Sequence, residues 1–244
     1  MLIKMINVGI IDTNCYLVMN ETTKEGFIVD PGGSGDRIIA ACSEMGMRPV
    51  AILLTHGHFD HILGIEEVCT AYPLPIYASE AENELLRSGV MNCTLRILRR
   101  EVTVEADRLL KDNEEFEVAG MTVKCIHTPG HTAGSCCYYI GQQADRAQNQ
   151  SGQQADRAQN QSGQQAARQQ VPDKDEDRAN PGVLFSGDTM FKQSVGRTDL
   201  PTGDAEALYR SIDRLTGTMP HDTLVFPGHG PETTIGDEAA DRRG

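Results

Sequence analysis

Residues 55–61 read Thr-His-Gly-His-Phe-Asp-His, which places three imidazoles and a carboxylate within six positions. Neutral imidazole nitrogen and anionic carboxylate oxygen are the ligands that borderline divalent metals prefer. The apolar run Val50–Leu54 feeds directly into this stretch. On an irregular loop after a strand, the spacing lets alternate side chains face opposite ways. His56 and His58 can then hold one ion while Asp60 and His61 hold a neighbour. Three later places end an apolar run with another candidate ligand: His131 in HTPGHT, Asp188 in SGDT and His229 in PGHG. All fall at strand C-termini, the edge where α/β proteins build their sites. The count becomes His56, His58 and His131 for one ion and Asp60, His61 and His229 for the other, with Asp188 between them. Three ligands per ion plus a bridging carboxylate leave room for a shared hydroxide, the arrangement of a hydrolytic dinuclear centre. Asp60 and Asp188 are the acids expected to take part in catalysis. The expected cofactors are two divalent ions, zinc first, with iron or manganese as alternatives.

The elements that would position these residues alternate along the chain. Apolar patterning predicts strands over 3–8, 14–19, 26–30, 50–54, 76–78, 116–118, 121–126, 135–140, 183–185 and 223–226. Helices are predicted over about 36–46, stopped by Gly46, then 62–71, 79–88 and 204–215. Strands mixed with interleaved helices indicate a layered α/β or α+β protein. The turn Gly32-Gly33-Ser34-Gly35 precedes a helix but lacks the lysine of a phosphate-binding loop, so it is read as a turn.

Residues 141–151 read GQQADRAQNQS, residues 152–162 repeat them unchanged, and 163–166 start a third copy. Almost no apolar side chain interrupts this stretch, so it cannot bury enough surface to offset its ordering entropy. A disordered low-complexity insertion at about 141–180 is expected to interrupt a single domain spanning 1–244, at a hairpin tip.

The 244 residues carry a net charge of −13. That makes nucleic acid an unsuitable partner, since phosphate binding needs a basic footprint. An anionic membrane surface is disfavoured for the same reason, and no apolar run is long enough to span a bilayer. Seven Cys without C-x-x-C pairs, and no leader-like start, fit reduced thiols in a cytoplasmic protein. Cys136 and Cys137 sit in a predicted strand and are read as packing thiols.

THGHFDH, TPGHT, SGDT and PGHG, in that order, resemble the metallo-β-lactamase fold superfamily. The stretch from SVGRTDLPTGD to VFPGHGPETTIGDE is similar to its compact bacterial glyoxalase II-like hydrolase branch. The resemblance covers nearly all of the chain except the repeats. It implies an α+β fold, an αββα sandwich of two mixed β-sheets with helices outside and the metals at one edge. It further implies that Asp30 in VDPGG lies behind the ligands and orients a histidine. Asp188 stands where one group of the lactamases places Cys, which argues against a β-lactamase. The added C-terminal helical region with which glyoxalase II enzymes help hold glutathione has no counterpart after Gly230. The implied activity is hydrolysis of a small hydroxyacyl thioester, such as S-lactoylglutathione, by a metal-bridged hydroxide. An iron-dependent persulfide dioxygenase on the same scaffold is the alternative, and a non-catalytic metal-binding module the third. Arg197 and Lys192 are the weaker candidates for substrate contact. Arg197 and Asp199 can instead pair to brace the loop after Asp188, and His127 stands beside the ligand set rather than in it. The acyl group, thiol carrier and oligomeric state are left open.

Overall fold

The computed structural model describes residues 1–141 and 181–241. The first sheet runs β1 (Leu2–Val8), β2 (Thr13–Met19), β3 (Glu25–Val29), β4 (Arg48–Leu53), β5 (Ile76–Ser79) and β6 (Arg108–Leu110) in sequence order. It is antiparallel up to β3 and parallel from β3 onward. The second sheet runs from β7 (Glu115–Val118) through β8 (Met121–His127), β9 (Cys136–Ile140) and β10 (Val183–Gly187) to β13 (Leu224–Pro227) and β14 (Thr233–Thr234). Within it only β10 and β13 are parallel. Between them the chain forms a small ribbon of β11 (Met190–Phe191) and β12 (Ser194–Val195).

Period-two patterning explains the layering. Tyr16, Val18, Phe27, Val29 and Leu53 of the first sheet pack against Phe116, Val123, Tyr138 and Phe185 of the second. The alternate residues Leu17, Ile28 and Ile52 face outward, onto Ile38 and Cys42 of α1 (Gly35–Met45) and Val68 of α3 (Ile65–Ala71). Likewise Leu184 and Val225 leave the inner layer to meet Leu208, Ile212 and Leu215 of α6 (Ala205–Thr218) and Ile235 of α7 (Ile235–Asp241). Strands covered on both faces read as continuous apolar runs, as Cys-Tyr-Leu-Val-Met in β2 does. The result is the αββα sandwich of two mixed sheets that the motifs imply. Truncating a side chain of the inner layer, Phe185→Ala, would cost ~3–5 kcal/mol through transfer and cavity terms.

Some predicted bounds shift. The ligand stretch does not stay an irregular loop: Phe59–Ile62 form a one-turn helix, α2, and α3 begins only at Ile65. The helix expected over 79–88 is a 3₁₀ turn at Glu80–Glu82 followed by α4 (Asn83–Leu86). Helix α5 (Thr94–Leu98), β6, β11, β12, β14 and α7 lie where no element was predicted. The repeats, apart from Gly141, lie outside the described residues.

Candidate metal centre

Four strands of two sheets bring the ligand candidates to one edge. His56 and His58 follow β4, and the turn of α2 carries Asp60 and His61. His131 lies in the loop joining β8 to β9, Asp188 follows β10, and His229 follows β13. Backbone bonds stitch the sheets together at this edge. Cys136 N donates to Thr55 O at 2.9 Å and Asn14 N to Gly228 O at 2.7 Å. Tyr16 Oη donates to Pro227 O at 2.6 Å and Tyr138 Oη to Leu54 O at 2.9 Å. Gly228 is required here by close approach: a Cβ on it would lie 2.3 Å from Asp188 Oδ1 and 2.8 Å from His61 Cε1.

All seven candidates converge. His131 Nε2 lies 2.9 Å from His58 Nδ1 and 3.2 Å from His56 Nε2. His61 Nε2 lies 3.3 Å from Asp60 Oδ2 and 3.4 Å from Asp188 Oδ1. His229 Nε2 lies 3.2 Å from Asp60 Oδ2 and 3.7 Å from Asp188 Oδ2. Ligand atoms within 4.8 Å of one another define three overlapping sets: His56, His58 and His131; His56, His61 and Asp188; Asp60, His61 and His229.

The surrounding hydrogen bonds assign the tautomers. His131 Nδ1 faces the Arg197 carbonyl at 2.7 Å, and a carbonyl only accepts, so Nδ1 carries the proton and Nε2 the lone pair. His61 Nδ1 donates to Asp30 Oδ2 at 2.9 Å, leaving its Nε2 as an acceptor. Thr55 donates its hydroxyl to Asp30 Oδ2 at 2.6 Å and so accepts from His56 Nδ1 at 3.2 Å, which frees His56 Nε2. Three nitrogen lone pairs and two carboxylates therefore face one another in a buried space. His61 Nε2 and Asp188 Oδ1 are buried there without a hydrogen-bond partner. Buried acceptors without donors are costly, and a divalent cation is the species that satisfies this set. The residues fit the metals that the motifs imply.

Titration differs across the cluster. Burial, together with the neighbouring imidazoles, pushes His56 well below the usual histidine range and His58 down to about 3. Burial alone would also lower His61 and His229, yet the carboxylates of Asp60 and Asp188 beside them hold both imidazoles above it. Asp60 is desolvated but kept low by His61 and His229.

A layer behind the ligands fixes them. Asp30 accepts from Thr55 N at 2.8 Å, from the Thr55 hydroxyl and from His61, which is the place behind the ligands that the resemblance implies for it. Thr13 Oγ1 donates to Asp60 Oδ2 at 3.0 Å. Glu82, fully buried, accepts from Gly57 N at 2.9 Å and from Thr132 Oγ1 at 2.9 Å, tying the loop of His56 and His58 to the loop of His131. Burial pushes its carboxyl up to about 7 despite these donors. Sequence reasoning missed Glu82 and Thr13. Neither carries a local signal: Glu82 stands among Glu80, Asn83 and Glu84, and Thr13 between Asp12 and Asn14.

The remaining candidates resolve differently. Arg197 holds Asp199 through two bonds of 2.6 Å, the bracing pair, and its contribution to the cluster is the backbone carbonyl on His131. Lys192 is exposed in the turn between β11 and β12, next to Phe191, whose ring stands edge-on 6.1 Å from His229. His127 turns its Nε2 to Ala133 O at 3.1 Å, away from the ligands. Gly32 serves packing: a Cβ there would lie 1.6 Å from Asp60 O. All seven cysteines are free, and Cys136 and Cys137 are buried.

Comparison with known proteins agrees with this geometry. Residues 8–143 match the family model of the metallo-β-lactamase superfamily. The probable metallo-hydrolase YqgX of Bacillus subtilis is 33% identical, over 93% of this chain and 90% of its own length. The hydroxyacylglutathione hydrolase GloC of Haemophilus influenzae is 27% identical, over 97% and 94%. Among solved structures, the B3 metallo-β-lactamase BLEG-1 superposes with a TM-score of 0.77 at 34% identity, covering 98% of this chain and 97% of its own. TTHA1623 in a di-iron-bound form superposes with a TM-score of 0.71 at 28% identity, covering 97% and 96%. With its two mixed sheets, its converging histidines and acids and these relatives, the chain belongs to the metallo-β-lactamase superfamily and is a metallo-hydrolase.

Proposed function

We propose that this protein hydrolyses a small hydroxyacyl thioester, with His56, His58 and His131 holding one ion, Asp60, His61 and His229 a second, and Asp188 shared between them. The observation that carries the reading is the paired vacancy of hydrogen-bond donors at His61 Nε2 and Asp188 Oδ1, 3.4 Å apart at the junction of the two sets. When bound, the ions supply a Lewis acid and lower the pKa of water towards neutrality. The chain's own residues orient and exclude. Asp30 and the Arg197 carbonyl lock the tautomers of His61 and His131, and the buried loops keep bulk water from the ligands. Every imidazole and carboxylate of the cluster is engaged as a ligand candidate, so no strong general acid is left for a leaving group. A thioester suits such a site, because thiolate departs without protonation. The 27% identity to a hydroxyacylglutathione hydrolase supports the same class.

β-Lactam hydrolysis is the second reading, favoured by the likeness to a B3 metallo-β-lactamase. Asp188 separates this chain only from lactamases that place Cys there. The test is zinc-loaded and iron-loaded protein assayed on S-lactoylglutathione, a neutral acyl thioester, a chromogenic cephalosporin and glutathione persulfide with oxygen uptake recorded. Thioester cleavage with about two ions per chain is the expected result. Oxygen uptake on the persulfide with one iron per chain, or turnover of the cephalosporin alone, would overturn it.

A further inference from the structure

In a chain of net charge −13, residues 87–100 (RSGVMNCTLRILRR) contain four arginines and no acid. Arg87 pairs with Glu105. Arg96, Arg99 and Arg100 are exposed and have no ion pair within 4 Å among the described residues.

This basic segment is anchored against the metal centre. Phe59 N, between His58 and Asp60, donates to Asn92 O at 2.9 Å. Asn92 is buried; its Oδ1 accepts from Thr94 N at 3.0 Å and its Nδ2 donates to Val102 O at 2.8 Å. Val102 N in turn donates to Thr94 Oγ1 at 3.0 Å. The root of α5 is thus cross-braced, and Arg96 stands two residues beyond Thr94, about half a helical turn. Buried Cys93 lies within electrostatic reach of Asp60, Arg96 and Arg197 together, and Asp199 within reach of Arg96 and Arg197. Helix α5, which carries Arg96, and the loop of Arg197 and Asp199 therefore lie on the same side of the centre, where Asn92 is bonded to Phe59. Arg197 is already compensated by Asp199; Arg96, Arg99 and Arg100 supply the charge left over.

We propose that the segment Arg96–Arg100 is a specificity rim that binds the anionic tail of the substrate's thiol carrier, with Arg96 as its principal contact. A guanidinium recognises carboxylate and phosphate alike, so the tail is either the carboxylates of a peptide thiol or the phosphates of a nucleotide thiol. Exposed Leu95 and Ile97 on α5 add apolar surface beside the charge. The proposal rests on the thioester reading, and its test separates the two.

Zinc-loaded full-length protein and the variants Arg96→Gln, Arg99→Gln/Arg100→Gln and, as a control outside the rim, Arg87→Gln are titrated calorimetrically with S-methylglutathione and S-methyl-coenzyme A. Neither probe is a thioester, so binding is read whether or not thioesters are cleaved. Arg96→Gln should weaken one probe about tenfold, a loss on the scale of one charge-assisted contact, and the probe weakened identifies the tail. Arg87→Gln should weaken neither. With S-lactoylglutathione against the uncharged S-lactoyl-N-acetylcysteamine, the ratio of kcat/KM values should fall about tenfold in Arg96→Gln and in high salt, through KM. Equal binding of both probes by wild type and Arg96→Gln, with metal content and Tm unchanged, overturns the rim. Absence of any thioester cleavage overturns the thioester reading and leaves the calorimetric result to decide the rim.

Discussion

On one side of the centre His56, His58 and His131 meet one acid, Asp188, whose Oδ2 lies 3.6 Å from His131 Nε2; on the other, Asp60 adds a second carboxylate beside His61 and His229. The first set is dry and mutually repelling, so His56 and His58 lose their protons readily. The second is equally dry at His61, yet its carboxylates raise the proton affinity of both imidazoles. The braces differ too. Glu82 ties the loops of the first set together through a backbone N–H and a hydroxyl, whereas Asp30 touches His61 of the second directly. Burial by itself therefore does not set the chemistry of a histidine; the charge sharing the cavity does. Neutral ligands leave an ion its full charge, and anionic ones offset it. The two positions are built to be unequal.

Asp188 is the residue both sides share, so its removal tests the comparison most severely. Asp188→Ala should reduce activity by more than ~100-fold, the upper end for residues that merely support ligands. Elemental analysis should show loss of metal from both sides. Retention of two ions would mean that each set stands alone.

Proton competition sharpens the contrast. The raised imidazoles of His61 and His229 bind protons at higher pH than His58, which stays neutral down to about 3. On lowering the pH from about 7 to about 5, metal should leave the acid-rich set first, since ligands must be deprotonated to bind. His229→Ala, keeping only the imidazole set, should hold its single ion with little change over that range. Equal acid sensitivity in that variant would erase the difference.

Much of this centre is legible in the sequence. Each motif is local, a cluster or a lone His or Asp directly after an apolar run, and the strands before them carry continuous apolar patterning. The braces are not legible, because they are non-local. Thr13 reaches Asp60 across 47 residues and Glu82 reaches Thr132 across 50, with no pattern linking the partners. The unpredicted elements are short: β6 has three residues and β11, β12 and β14 two each. Stretches of that length carry too few positions for a period to show. The one-turn helix carrying Asp60 and His61 escaped for the same reason.

The braces should give smaller effects, and unequal ones. Asp30→Asn should weaken metal affinity by ~10–100-fold, because it frees the His61 tautomer. Glu82→Gln should leave metal affinity closer to wild type but change how stability follows pH. A carboxyl raised to about 7 binds its proton more tightly folded than unfolded. Its contribution is complete below about 4.5 and is lost as pH rises through about 7. Thermal unfolding across that window should fall with pH in wild type and less steeply in Glu82→Gln. Identical slopes would remove Glu82 from the account.

Ile140 and Val183 are direct partners in the β9–β10 ladder. They sit at the opposite end of these strands from Asp188, which follows the far end of β10. Whatever sequence lies between them enters and leaves the sheet at that one pair, and doubling a long connection adds only ~0.6 kcal/mol of closure cost. The copy number of the eleven-residue unit should thereby be uncoupled from the centre. Duplication or loss of a whole unit should change the length of the polypeptide without altering register, inner layer or ligands, so this end of the sandwich is where the protein is expected to tolerate inherited length variation.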